Sequence, residues 1–197
     1  MPGARQPRQP SAPTPTGYAL LGLLSFGQEL SGYELKQWAD SSLRFFWSAP
    51  AMSQVYRELE RLAANGHVSQ RAVVRDGTRE TKVHRLTPAG EQVVRGWLAE
   101  VPEPPGLKHP VALRLFLGHL LDPDDLRKAI QVHRDWCDQM LADLAEVRDE
   151  LGDDPMWRNA ARVADWGLDY YRGERTAVEH VGRAALDEPP EGIPNSG

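Results

Sequence analysis

Apolar residues recur along this chain with two different periods, and the changes of period mark out its elements. From Tyr18 to Phe26, "YALLGLLSF" is almost wholly apolar and short, a buried helix closed by Gly27. In "SGYELKQWAD", Ser31 and Glu34 have the spacing of a capping box, so a second helix starts there, with Leu35 and Trp38 on its inner face. Met52, Val55, Tyr56, Leu59 and Leu62 follow at steps of three and four, predicting a third helix from near Ser48–Pro50 to Asn65-Gly66. The period then shortens. "HVSQRAVV" and "RETKVHRL" are extended runs on either side of Asp76-Gly77, a two-residue hairpin signal because both positions favour positive φ. Thr87 and Pro88 read as N-cap and first residue of a fourth helix reaching about Glu100.

"VPEPPG" at 101–106 interrupts the pattern and marks a domain boundary. Beyond it the chain reads as helical throughout. Asp122-Pro123 starts a long helix in which Leu126, Ile130, His133, Cys137, Met140, Leu144, Val147 and Leu151 alternate steps of four and three. That is the seam of a helix packed along its length. A last helix runs from Asp154-Pro155 to about Leu186, with Trp157, Trp166, Tyr170, Tyr171, Val178 and Val181 as its large apolar residues. The segments 1–16 and 188–197 lack apolar periodicity and are expected to be disordered. Arg5 and Arg8 in the first offer either an arm for phosphates or a solvated leader.

The expected fold is therefore mainly α with a small β-hairpin. Residues 17–100 form a winged helix-turn-helix and residues 107–187 a C-terminal helical domain. In such a unit the third helix enters the major groove and the hairpin lies over neighbouring phosphates. Charge at first opposes a nucleic-acid partner, because the formal net charge is -5. It is unevenly placed, however. Residues 1–100 hold 12 Lys and Arg against 9 Asp and Glu, whereas residues 101–197 hold 11 against 19. Overall acidity belongs to the second half and leaves the first free to meet an anion.

Candidate chemistry follows from this placement. Ser53, Gln54 and Arg57 lie near the leading end of the third helix, where short polar side chains reach base edges; Gln suits adenine and Arg suits guanine. Tyr56 suits either a phosphate contact or the core. Tyr33 and Lys36 on the second helix are phosphate contacts in this reading. Arg71, Arg75, Arg79, Lys82 and Arg85 bracket the turn. They are either charges that keep an edge soluble or contacts to the DNA backbone, and their position favours the latter, with Arg75 and Arg79 foremost.

The motifs "YALLGLLS", "SGYEL", "SQVYRELERL", "NGHV" and "LTPAG", in this order and spacing, resemble the PadR-like transcriptional regulators. The second half, from "KHPVALRLFLGHLLDP" to "YYRGERTAVEHV", is similar to the C-terminal domain of members related to the virulence-activator type. Two departures bear on base preference: Arg57 stands where many members have Pro, and Ala63 where Glu is usual. The resemblance implies a homodimer joined by its C-terminal helices, binding an inverted repeat in double-stranded DNA and usually repressing transcription. It also implies release by a small aromatic acid or drug-like effector. Such release must act by changing the distance or tilt between the two winged helices, because a ligand shifts only states it binds differently. The apolar seam gives a separate reason to expect a second copy, since two helices make a thin domain.

Six tryptophans offer flat surfaces. Trp136, Trp166 and Tyr170 are the candidates for an aromatic ligand, against the alternative of core or interface anchors. His133 and Cys137 share a helix face at metal-binding spacing, but both lie on the seam, with only distant residues such as His119 to complete a site. No metal site is assigned, and no cofactor motif is present. Nothing basic adjoins Cys137 to favour a thiolate for redox sensing. The sequence lacks Gly-x-Ser-x-Gly, His-Glu-x-x-His and a phosphate-binding Gly-rich loop, so no enzyme is expected. The alternatives to a regulator controlled by an aromatic ligand are a protein-interaction module using the winged helix as scaffold, or a metal- or redox-sensing regulator. One cysteine and the lack of a membrane-length apolar run suggest a cytoplasmic protein that does not engage a membrane.

Overall fold

The computed structural model describes residues 12–75 and 79–187. It divides into two compact units, residues 1–103 and 104–197. The first holds α1 (Pro15–Leu24), β1 (Leu30–Ser31), α2 (Gly32–Ser42), α3 (Met52–Ala64), β2 (Val68–Arg75), β3 (Arg79–Leu86) and α4 (Pro88–Ala99). The second holds α5 (Pro110–Phe116), α6 (Pro123–Leu151) and α7 (Arg158–Asp187), with 3₁₀ turns at Gly118–Leu120 and Pro155–Trp157.

Local chemistry sets the helix starts. Ser31 and Glu34 form both bonds of the capping box: the Glu34 N–H donates to Ser31 Oγ at 3.2 Å, and the Ser31 N–H donates to the Glu34 carboxylate at 2.7 Å. Thr87 Oγ1 accepts from Gly90 N–H at 3.1 Å, with Pro88 at the first helical position. Asp122 caps α6 by accepting from Asp124 N–H. The first helix starts earlier than its apolar run suggests. Thr14 Oγ1 accepts from Gly17 N–H at 3.0 Å and Pro15 opens α1, so Pro15 and Thr16, expected in the disordered leader, are helical and Thr14 is their cap. Arg5 and Arg8, like the segment 188–197, lie outside the described residues.

The core of the first unit joins α1 (Leu20, Leu21, Leu24), α2 (Leu35, Ala39), α3 (Val55, Leu59, Leu62), β2 (Val68) and α4 (Val94), with Trp38 packed at its edge. Asn65 closes α3, and Gly66 follows at φ +73, the left-handed conformation that glycine adopts without steric cost. The hairpin is completed by a third strand that the periodicity does not announce. β1, only two residues long, pairs antiparallel with β3 through Leu30 and His84, giving the order β1-β3-β2. Strand register closes the wing at Arg75 opposite Arg79, which leaves three residues between them where Asp76-Gly77 suggests a two-residue turn. The turn itself lies outside the described residues.

In the second unit α6 and α7 pack along their length. The seam of α6 is covered within the chain, by small residues of α7. Ala161, Ala164, Gly167, Tyr171, Val178 and Gly182 form the buried stripe of α7. A Cβ on Gly167 would come within 2.6 Å of Leu144 Cδ2, and one on Gly182 within 2.5 Å of Ile130 Cδ1. Close approach of the two backbones therefore depends on these glycines. Consequently Trp166, Tyr170 and Val181, three of the large apolar residues of α7, are exposed, while Tyr171 and Val178 are buried. Among the described residues no helix is long and apolar enough to cross a membrane.

A candidate nucleic-acid interface and an aromatic track

The polar face of α3 is defined by what its other face buries. Val55, Leu59 and Leu62 are at most 1% exposed, and they turn Ser53, Gln54, Tyr56, Arg57 and Glu60 outward. Gln54 has a local duty as well. α3 has Ala51 at its N-cap, which offers no side-chain acceptor, so Gln54 Oε1 accepts the Ala51 N–H at 2.9 Å. The amide NH₂ of Gln54 keeps its donors for a partner.

Tyr56 resolves toward the surface, at 49% exposed. Its ring lies against the backbone of Gly32, where an added Cβ would meet Tyr56 Cε1 at 2.5 Å. Gly32 thereby lets the third helix lean on the start of α2 with the phenol left outside. Tyr33 is 56% exposed and its hydroxyl accepts from Gln37 Nε2 at 3.2 Å. Lys36 is already engaged, its ammonium paired with the Asp40 carboxylate one turn on.

In the wing, Lys82 is exposed and in register with Ala72. Arg71 is committed elsewhere. Its Nε donates to both Glu29 carboxylate oxygens at 3.1 Å, and these bonds hold the guanidinium pKa above its ordinary value. The backbones of Arg75 and Arg79 face each other across the end of the hairpin; their side chains lie outside the described residues.

The strands are anchored to the helices by buried polar groups that periodicity alone passes over. His67 and His84 are 6% and 4% exposed, and burial pushes both imidazoles below their ordinary value, helped by Arg61 and Lys82 respectively. The carbonyl of His67 accepts from both the N–H and the hydroxyl of Thr87. Glu58, on the inner side of α3, is also buried, with Arg61 at 3.8 Å.

In the second unit the three residues considered for an aromatic ligand join one track. Trp166 stacks on Tyr170 at 5.6 Å between centroids, Tyr170 meets Tyr171 edge-on at 5.2 Å, and Tyr171 meets Trp136 at 5.4 Å. Trp136, Trp166 and Tyr170 are 44%, 54% and 43% exposed. None of the three lines the cavity of about 460 Å³ between α5 and α7, whose walls include Leu115, Phe116, Val178 and Val181.

Cys137 is fully buried, and burial, with Glu174 and Asp138 nearby, pushes its thiol up to about 11. A thiol held protonated in this way is a poor nucleophile. His133 meets an acid of α7. His133 Nε2 lies 2.9 Å from Glu174 Oε1, and His109 Nε2 lies 2.5 Å from the same oxygen. The sequence gives no local sign of this cluster, because its members come from three distant places, the N-cap of α5, α6 and α7.

Comparison with known proteins agrees with this architecture. Residues 20–96 match the transcriptional regulator PadR-like family, and residues 107–177 match the virulence activator alpha C-terminal domain. The negative transcriptional regulator PadR of Bacillus subtilis is 37% identical over 100 residues, which is 50% of this chain and 54% of that protein. The chain thus spans about half the length of the curated relatives it matches. Among solved structures, Bacillus subtilis PadR in complex with operator DNA superposes with a TM-score of 0.75 at 25% identity, over 86% of this chain and 98% of that one. The same protein in complex with p-coumaric acid superposes with a TM-score of 0.68 at 27% identity, over 87% and 98%. With a three-stranded winged helix in its first unit and a helical domain in its second, the chain carries a PadR-like transcriptional regulator domain at residues 20–96 and a virulence activator alpha C-terminal domain at residues 107–177.

Proposed function

We propose that this protein is a sequence-specific DNA-binding repressor, acting as a homodimer on an inverted-repeat operator and released by a small aromatic acid. The observation that carries the reading is the outward face of α3, where Ser53, Gln54 and Arg57 stand clear of a fully packed inner face. Those three side chains read base edges, and Glu60 on the same face can accept from the amino group of cytosine. Tyr33, Lys36, Tyr56, Lys82 and the wing residues Arg75 and Arg79 contact phosphates and fix the register. The capture of Bacillus subtilis PadR on operator DNA supports this assignment.

Dimerisation has a different physical basis from the seam of α6, which α7 already covers. It rests on the large apolar side chains left outside: Leu113, Phe116 and Leu120 near α5, and Trp136, Trp166 and Tyr170 on the long helices. An exposed set of this size is uncommon on a monomer and suits a second copy of the chain. An aromatic effector is favoured by the p-coumaric acid complex of Bacillus subtilis PadR. Trp136, Trp166 and Tyr170 remain the proposed contacts for such a ligand.

The deciding experiment titrates the full chain against a fluorescent duplex from its own upstream region, beside a scrambled duplex, at two salt concentrations. A repressor of this kind binds the first selectively and loses affinity with salt at a slope of about −0.9 per phosphate contacted. Equal, weak binding to both duplexes, followed by failure of a genome-wide selection to enrich any sequence, overturns the reading in favour of a protein-binding scaffold.

A further inference from the structure

His109 at the N-cap of α5, His133 in α6 and Glu174 in α7 bring three ligand atoms within 4.8 Å of one another. All three side chains are about 15% exposed. Glu174 also lines the cavity between α5 and α7, as does His109, so the cluster has a path to solvent. Burial works against charge on Glu174, but the hydrogen bonds from both histidines outweigh it and hold the carboxyl below its ordinary range. Among the described residues no lysine or arginine pairs with Glu174; the neighbouring arginines are engaged by other acids, Arg134 with Glu179 and Arg175 with Asp138. A partly buried carboxylate facing two imidazoles is thus short of one positive charge whenever both rings are neutral.

We propose that His109, His133 and Glu174 form a binding site for a divalent transition-metal ion of the zinc class. Two histidine nitrogens and one carboxylate oxygen are a donor set that zinc takes while keeping a fourth position for water. The present 2.5 and 2.9 Å contacts need to open only to about 3.3 Å, the ligand separation around a tetrahedral zinc. The cation replaces the two hydrogen bonds that now converge on Glu174 and supplies the missing charge.

Binding has a proton balance that follows from the cap of α5. His109 Nδ1 accepts the Ala112 N–H at 2.9 Å, so in the neutral ring the proton sits on Nε2 and points at Glu174. A metal on Nε2 displaces that proton, and the ring stays neutral only by carrying one on Nδ1. Nδ1–H and the Ala112 N–H are then two donors face to face, and the cap bond is lost. Metal occupancy therefore trades the N-cap of α5 for a coordinate bond and ties the start of α5 to the middle of α6 and α7.

The test uses the full chain and zinc chloride, with a chromophoric chelator as competitor, and cobalt chloride as the spectroscopic substitute. One zinc ion per chain is expected, and the cobalt form should show the visible bands of a tetrahedral nitrogen and oxygen site. His133→Gln and Glu174→Gln should each weaken zinc by more than about tenfold, since even losing a residue that only orients a ligand costs that much. His119→Gln, outside the cluster, should bind like the parent. Far-UV circular dichroism in chelator separates loss of ligand from loss of fold. If a variant fails to fold, the cobalt spectrum of the parent still decides. No zinc uptake at millimolar metal, bands of octahedral cobalt only, or equal affinity in parent and folded variants overturns the proposal and leaves the cluster as a polar clasp between helices.

Discussion

Gln54 performs two tasks with one amide, and their separation is a matter of atoms. Its oxygen closes the N-terminus of α3 on Ala51, while its nitrogen is free to donate. Replacing Gln54 with Ala should flatten the discrimination between operator and scrambled DNA. Replacing Arg79 should weaken both duplexes alike and reduce the salt slope by about one phosphate contact. Competitive titration of the two duplexes separates the outcomes, and uniform loss in both variants would move base reading away from α3. Lys36 permits the converse experiment. Because Asp40 holds its ammonium, a phosphate must displace that carboxylate. Asp40→Asn should therefore tighten DNA binding a few-fold and steepen the salt slope by up to about 0.9; an unchanged slope would remove Lys36 from the contacts. Residue types of this kind are legible in sequence because the helical period turns them away from the buried face of α3. Their present partners are not, since Arg71 meets Glu29 only after β1 and the hairpin have assembled.

Among elements, the contact of α4 with the turn between α3 and β2 is the least forgiving. A Cβ on Gly90 would lie 2.1 Å from the His67 carbonyl oxygen, a backbone atom that cannot swing away. Gly90→Ala should cost about 1–3 kcal/mol in chemical denaturation, whereas Gly96→Ala, on the same helix with open space around it, should gain up to about 1 kcal/mol from helix propensity. The wing strand carries a pH dependence. His67 and His84 are held below their unfolded value of 6.5, so the unfolded chain binds more protons once the pH falls through that value. Stability is fully present above it and declines on acidification. Melting temperatures between about pH 7.5 and 5.5 should fall with pH, and less steeply in His84→Asn; a flat profile would contradict buried neutral imidazoles. Helix starts were readable because a cap is a local event, as at Ser31 with Glu34 and Thr87 with Pro88. Thr14-Pro15 carries the same signal but sits in a Pro, Gln and Ser-rich stretch whose composition masks it. β1 was unreadable because two residues have no period, and its partner strand is distant in the chain.

For the whole molecule, the informative surprise is which residues of α7 face inward. The large apolar residues of α7 divide: Tyr171 and Val178 join the buried stripe while Trp166 and Tyr170 stay outside, and Ala161, Ala164 and Gly167 complete the stripe, their smallness letting the helices close. Pattern reading finds the seam of α6 but passes over the small residues that help to cover it. The displaced aromatics carry the dimer proposal, so Trp166→Glu combined with Leu120→Glu should shift sedimentation toward a monomer while leaving circular dichroism unchanged. Operator affinity should fall with it, because two half-sites are then bound independently. A variant that stays dimeric would place the interface elsewhere.

The burial of Cys137 gives the chain an internal clock. It is the single thiol in the sequence, fully enclosed between α6 and α7 and held protonated. A disulfide reagent can reach it only when the two helices part, so under conditions where reclosure is fast the labelling rate is the opening equilibrium multiplied by the reactivity of a free thiol. A ligand that ties α6 to α7, as the proposed zinc would, then announces itself as a slower reaction at one sulfur atom, with no probe added to the protein.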